Sequence, residues 1–147
     1  MTGAWLLVAW LMAAPPPVLL VCDDADSAVV RRTSAELLVL GFPPEVVPVP
    51  DGPLDDAALL RLAARRGADR LGVVVLLPGS GRAGAWVVEP QTGTIRSRVL
   101  GPEEAGAPEV ASVKLAESVR ALFLELPPRP ASPPEPHPEP QPDQKPT

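Results

Sequence analysis

The sequence predicts an α/β fold: a three-layer, mixed five-stranded sheet of order 2-1-3-4-5 with helices on both faces, in the succession βαβαβ-β-β-α. Three observations lead there. Apolar runs of strand length alternate with stretches whose apolar residues recur at helical spacing. The run Leu71 to Leu77 (LGVVVLL) carries no polar side chain, as in a strand buried on both faces at the centre of a sheet. The strand containing Pro48 belongs at an edge, because proline donates no hydrogen bond to the ladder.

The elements follow in order. Val18 to Val21 reads as a short buried strand that ends at Asp23-Asp24. Asp26 or Ser27 can accept from the first-turn amides of a helix over 27–40, whose apolar face is Val29, Val30, Thr33, Leu37 and Leu40. Gly41 supplies the left-handed conformation that ends helices, and Pro43-Pro44 cannot continue one. Glu45 to Pro50 is the second strand. Leu54 to Arg66 is the second helix, with Asp55 and Asp56 near its start and Arg61, Arg65 and Arg66 towards its end, each group complementing the helix dipole. After Leu71 to Leu77 comes a glycine-rich turn over 78–84, then a strand over 85–89. Pro90-Gln-Thr-Gly93 connects it to a hairpin partner over 94–100. Pro102 and a small acidic loop lead to a last helix over 108–126, with Val113, Ala116, Val119, Leu122, Phe123 and Leu126 on its apolar face. Crossover helices make the first three strands parallel, and right-handed crossovers are strongly preferred.

Both ends differ in composition from this domain, expected over 15–126. Residues 1–22 carry no charged side chain, and the apolar block Ala4 to Ala14 is eleven residues long. At ~1.5 Å per residue such a block is too short to cross ~30 Å of hydrocarbon but suits the core of an export signal. Ala13, Ala14 and a proline run follow, so 1–14 reads as a signal peptide. Against this, no Lys or Arg precedes the block, and neither cut, after Ala13 or Ala14, has a small residue three places upstream. An uncleaved anchor, which would make the leader the one membrane contact, and a cytoplasmic chain are the alternatives. From Pro127 to Thr147, ten of 21 residues are proline and none is a large apolar side chain. Such a tail has nothing to offset the entropy of ordering, so it is expected to be disordered or extended polyproline II.

Composition excludes several classes of function. A net charge of −5 and only Trp86, Phe42 and Phe123 as aromatics after the leader argue against nucleic-acid binding, which needs basic surface and exposed stacking side chains. The skew towards Ala, Val, Leu, Pro, Gly and Arg is that of a GC-rich bacterial genome. Cys22 is the one cysteine, so no internal disulfide and no cysteine zinc cluster can form. His137, the one histidine, lies in the tail, so neither Cys22 nor Ser80, Ser97, Ser112 or Ser118 has a histidine base within the domain. No cofactor and no metal centre is expected.

What remains are ligand-binding candidates. Asp23 and Asp24 follow the carboxyl end of the first parallel strand, where open α/β sheets place their binding crevice, and paired carboxylates suit a magnesium or calcium ion. Their plainer role is in a turn that caps the next helix. Gly79-Ser-Gly81-Arg-Ala-Gly84 has the G-x-G-x-x-G spacing. A strand rather than a helix follows it, so no helix amino terminus would face a pyrophosphate. Ser80 and Arg82 in this turn complete the candidate set, with Arg82 placed to meet an anion.

Three resemblances bear on these residues. The region Val18 to Val47 resembles the start of response-regulator receiver domains, with a strand ending in an acidic pair, a helix, Leu40-Gly41-Phe42 and a second strand. The family's phospho-accepting aspartate would end the third strand, where this chain has Val75-Leu76-Leu77, so the resemblance implies no phosphoryl transfer. Leu19-Leu-Val-Cys22 resembles the lipid-attachment box of bacterial lipoproteins, with Val21 where that box has a small residue. In architecture the whole chain resembles small exported α/β proteins of GC-rich bacteria and, more loosely, the amino-terminal domain of TolB. That resemblance implies a protein-binding role in the envelope. The expected function is thus an exported, periplasmic, non-enzymatic binding or assembly module whose partners are envelope proteins. The alternative is a degenerate receiver-like domain binding a small ligand or divalent metal through Asp23, Asp24, Ser80 and Arg82.

Overall fold

The chain forms β1 (Val18–Cys22), α1 (Ala28–Val39), β2 (Pro44–Pro48), α2 (Asp56–Arg65), β3 (Leu71–Leu77), β4 (Arg82–Glu89), β5 (Thr94–Val99), α3 (Pro102–Ala105) and α4 (Pro108–Glu125). The structure, a computed structural model, describes residues 15–77 and 80–127. The expected signal peptide and the tail beyond Pro127 lie outside the described residues.

The five strands make one sheet of order β2-β1-β3-β4-β5, the order expected from the sequence. β1 pairs in parallel with β2 and β3, setting Cys22 beside Pro48 and Leu76. β3 to β4 and β4 to β5 are antiparallel hairpin pairs. The two prolines bounding β2, Pro44 and Pro48, fit an outer strand because neither has an amide to offer. β3, the all-apolar run, is the middle strand.

Side chains alternate across the sheet and so build two cores. On one face Val18, Leu20, Cys22, Val74, Leu76, Ala83, Ala85 and Val87 meet Val30 and Leu37 of α1 and Leu115, Ala116, Val119 and Leu122 of α4. On the other face Leu19, Val21, Leu71, Val73, Val75 and Val88 meet Leu59 and Ala63 of α2. Two long helices therefore cover the first face and one covers the second. The second core thins towards β5: Trp86 and Ile95 are partly buried at its margin, while Ser97 and Val99 are exposed.

Local chemistry places the helix ends. Ser27 caps α1, its Oγ accepting from the Val30 amide at 3.3 Å. Asp55 caps α2 by accepting from Ala58 at 2.8 Å, so the helix proper begins at Asp56, two residues later than expected. Gly41, just past α1, has φ +88°, a conformation glycine adopts without strain.

Four further details differ from the sequence expectation. β2 occupies 44–48 rather than 45–50. The stretch Arg82-Ala83-Gly84, expected in a turn, already belongs to β4, pairing with Leu77, Leu76 and Val75. The expected acidic loop contains the short helix α3, with Pro102 at its first turn. On α4, Val113 is exposed, while Ala111, Ser112 and Leu115 are buried.

Candidate functional site

The crevice candidates are positioned by the carboxyl ends of β1 and β3, which the Cys22–Leu76 pairing sets at one end of the sheet. Asp23 and Asp24 are exposed in the β1–α1 connection. Asp24 is engaged locally: its Oδ1 accepts from the Asp26 amide at 3.0 Å and its carbonyl from the Ser27 amide at 3.2 Å. This aspartate turn leads straight into the Ser27 cap. Ser80 donates from Oγ to the Leu77 carbonyl at 3.2 Å, closing the β3–β4 turn. Arg82 is the first residue of β4, opposite Leu77, rather than the tip of a loop. Among the described residues, no three His, Cys, Asp or Glu side chains are grouped to hold a metal ion.

Of the glycines in the G-x-G-x-x-G stretch that the structure describes, Gly81 lies in the turn and Gly84 in β4. Gly81 has φ +67° and closes the hairpin. Gly84 lies in β4 beneath Trp86, where an added Cβ would stand 2.7 Å from the indole Cη2. The bare backbone at this position lets the indole lie along the strand. Beside it is a small, mostly apolar cavity of about 130 Å³ lined by Val75, Gly81, Arg82, Ala83, Trp86, Val99 and Leu100.

Cys22 is 3% exposed at the end of β1, within the helix-covered core. Burial first, then the neighbouring carboxylates of Asp23 and Asp24, push its thiol above the ordinary value. The folded chain thus holds this proton more tightly than the unfolded chain does. The resulting stability is complete below the pKa of the unfolded thiol and is lost as pH rises through the folded value. Raising the pH from about 8 to about 10 is expected to lower the urea midpoint more in the native chain than in Cys22→Ala. Equal slopes in the two proteins would mean that the thiol contributes nothing to the pH dependence.

β5 stands at the end of the sheet, as the sequence order places it; which of its backbone groups face outward is what sequence reasoning missed. The Leu100 amide donates to the Ala83 carbonyl at 2.9 Å. Hydrogen-bonded and non-hydrogen-bonded pairs alternate along an antiparallel ladder, so this bond sets the phase of the whole hairpin. Thr94, Arg96 and Arg98 face β4 with their backbone groups, and Ile95, Ser97 and Val99 turn theirs outward. Among the described residues β5 pairs only with β4, so these outward groups form an open edge. The side chains of Ile95, Ser97 and Val99 lie on the thinly covered face, with Val99 67% exposed. Arg96 and Arg98 lie on the other face, where both approach Glu125 of α4, at 3.8 and 2.5 Å. Two guanidinium groups share one carboxylate there. The sequence marked this segment as a hairpin partner of the preceding strand. The thin cover of its Ile95, Ser97 and Val99 face emerges only with the reach of α2.

At the opposite end of the same hairpin, Arg70 donates from Nε to Glu89 at 3.1 Å and from Nη2 to the Pro127 carbonyl. Both side chains of this ion pair are mostly buried. The pair anchors the chain where it leaves the domain.

Among the described residues no helix is long and apolar enough to cross a membrane. No protein-family model matches this chain, and no curated protein matches it. Among solved structures, a chain of a dodecamer of a PelC variant from Paraburkholderia phytofirmans is similar at 13% identity, covering 74% of this chain and 87% of that one, with a TM-score of 0.31. A likeness at that score carries no argument about function.

Proposed function

We propose that this chain is an exported, periplasmic module of the bacterial envelope that binds or helps assemble other envelope proteins without catalysing a reaction. Export is supported by the uncharged, apolar character of residues 1–14. The observation that carries the binding reading is the open β5 edge. Outward backbone groups at Ile95, Ser97 and Val99 can accept an added strand, and Trp86 and the exposed Val99 supply an apolar surface beside it. In strand addition the main chain supplies affinity and the flanking side chains supply selectivity. The other outer strand, β2, is blocked by Pro44 and Pro48. The crevice reading has less support, because the hydrogen bonds of Asp24 and Ser80 shape local turns and, among the described residues, no three His, Cys, Asp or Glu side chains are grouped to hold a metal ion.

The test is a photoreactive side chain introduced at Val99 or, as a control, at Val46 of β2, in cells that are then fractionated. Adducts to an envelope protein at position 99 and none at position 46, in the periplasmic fraction, are expected. Equal labelling at both positions would sink the edge reading, and a cytosolic protein retaining residues 1–14 by intact mass would sink export.

A further inference from the structure

We propose that the cavity beside Trp86 is a binding site for a small aromatic carboxylate, its single ring seated against the indole and its carboxylate paired with Arg82. The site lies on the thinly covered face of the sheet and does not depend on whether β5 accepts a strand.

One row of residues creates the cavity. Val75 of β3, Gly84 of β4 and Val99 of β5 stand directly opposite one another, and opposed residues share a face of the sheet. The glycine contributes no side chain, so the row has a gap between two valines. Trp86, two residues further along β4 and on the same face, covers part of that gap with its indole. Arg82, two residues back on the same face, borders what is left. Among the described residues none of α2 lines this space, and Val99 at its rim stays 67% exposed.

Size and lining define the ligand. The cavity holds about 130 Å³. An apolar cavity of about 150 Å³ takes benzene, so this one suits a single six-membered ring and excludes a dinucleotide. An aromatic ring gains more from the indole wall than an alkyl group does, through offset or edge-to-face packing. Arg82 is the one charged side chain lining the cavity, and it is exposed. It has no ion-pair partner among the described residues. A guanidinium presents its N–H donors in a planar fork that matches a carboxylate.

The other hollows do not combine an apolar wall with an unpaired cation. The groove between α1 and α4 carries the Arg32–Glu109 ion pair, and in the one beside α3 Lys114 is held by Glu104. At the start of α2, Arg61 and Arg65 share a hollow with Asp51 and Asp55.

The test is titration of the full chain with benzoate at constant ionic strength, followed by NMR at the Trp86 indole N–H and the Val99 methyl groups. Saturable shifts at both residues are expected, with a dissociation constant of about 1–10 mM for so small a ligand. Benzamide, of the same shape but uncharged, is expected to bind about fivefold more weakly. Arg82→Gln alters an exposed side chain and is expected to weaken benzoate by the same factor while leaving benzamide unchanged. The absence of saturable shifts at Trp86 and Val99 up to about 50 mM benzoate would overturn the proposal. Equal affinity for benzoate and benzamide in the native chain would also overturn it, as would a preference for benzoate that survives in Arg82→Gln. Cyclohexanecarboxylate binding as tightly as benzoate would overturn the assignment of an aromatic ring.

Discussion

Leu115→Ala is expected to lower the free energy of unfolding by about 2–5 kcal/mol, and Val113→Ala to change it by less than about 0.5 kcal/mol. Urea denaturation of both variants measures the difference. Leu115 is 0% exposed and sits among Leu20, Val74, Ala85 and Val87 of the sheet and Val30 and Leu37 of α1. Truncating it removes buried methyl groups and leaves a cavity that the surrounding elements fill only in part. Val113 is 36% exposed on the outer side of the same helix. Removing its branch there costs little packing and relieves the stiffness of a β-branched residue within a helix. The reverse ranking would mean that α4 is rotated about its axis from the position described.

Apolar periodicity puts these two residues the other way round, with Val113 in the core and Leu115 omitted. The reason lies in α4 itself. Val110, Val113 and Leu124 are apolar and exposed, while Ser112 and Ser118 are polar and buried. Apolar residues thus occur all round the helix, and periodicity alone cannot select its inward side. The small residues Ala111, Ser112 and Ala116, buried on the same side, permit close approach to α1 and settle the phase. Letter counts give alanine and serine too little weight for that. The sheet order was legible for the opposite reason: Pro48 excludes β2 from the interior, and the unbroken run of β3 demands two covered faces.

The site was legible in part. That Asp23 and Asp24 lie at the carboxyl edge followed from the βαβ order, and so did their plainer role in a turn. The start of β4 was hidden because Gly81-Arg-Ala-Gly84 has the letters of a loop. Ala83 is small because it faces α4, and Gly84 is bare because Trp86 crosses it. Both constraints are tertiary. The strand order already made β5 an outer strand, but which of its backbone groups face outward was out of reach of any local pattern, since it depends on the phase set by a single bond from Leu100 to Ala83.

Gly72→Val separates local preference from packing most sharply, because the two predict opposite signs. Within LGVVVLL the valine is the better strand former, by up to about 1 kcal/mol. In the fold, a Cβ on Gly72 would stand 3.0 Å from Val18 Cγ2 and 3.1 and 3.2 Å from Phe123 Cε2 and Cζ. Phe123 cannot simply swing away, since its ring stacks on Phe42 with centroids 5.4 Å apart. A valine adds two methyl groups beyond that Cβ, and overpacking of this kind costs about 1–3 kcal/mol, which outweighs the propensity gain. Net destabilisation is the expected result, read from the urea midpoint. Phe123→Leu, destabilising alone, is expected to restore part of the loss when combined with Gly72→Val, giving a favourable coupling of about 1 kcal/mol in the double-mutant cycle. A Gly72→Val chain more stable than the parent, or a cycle with no coupling, would show that Phe123 does not pack over β3. The helix-covered core would then have to be redrawn around a different closing residue.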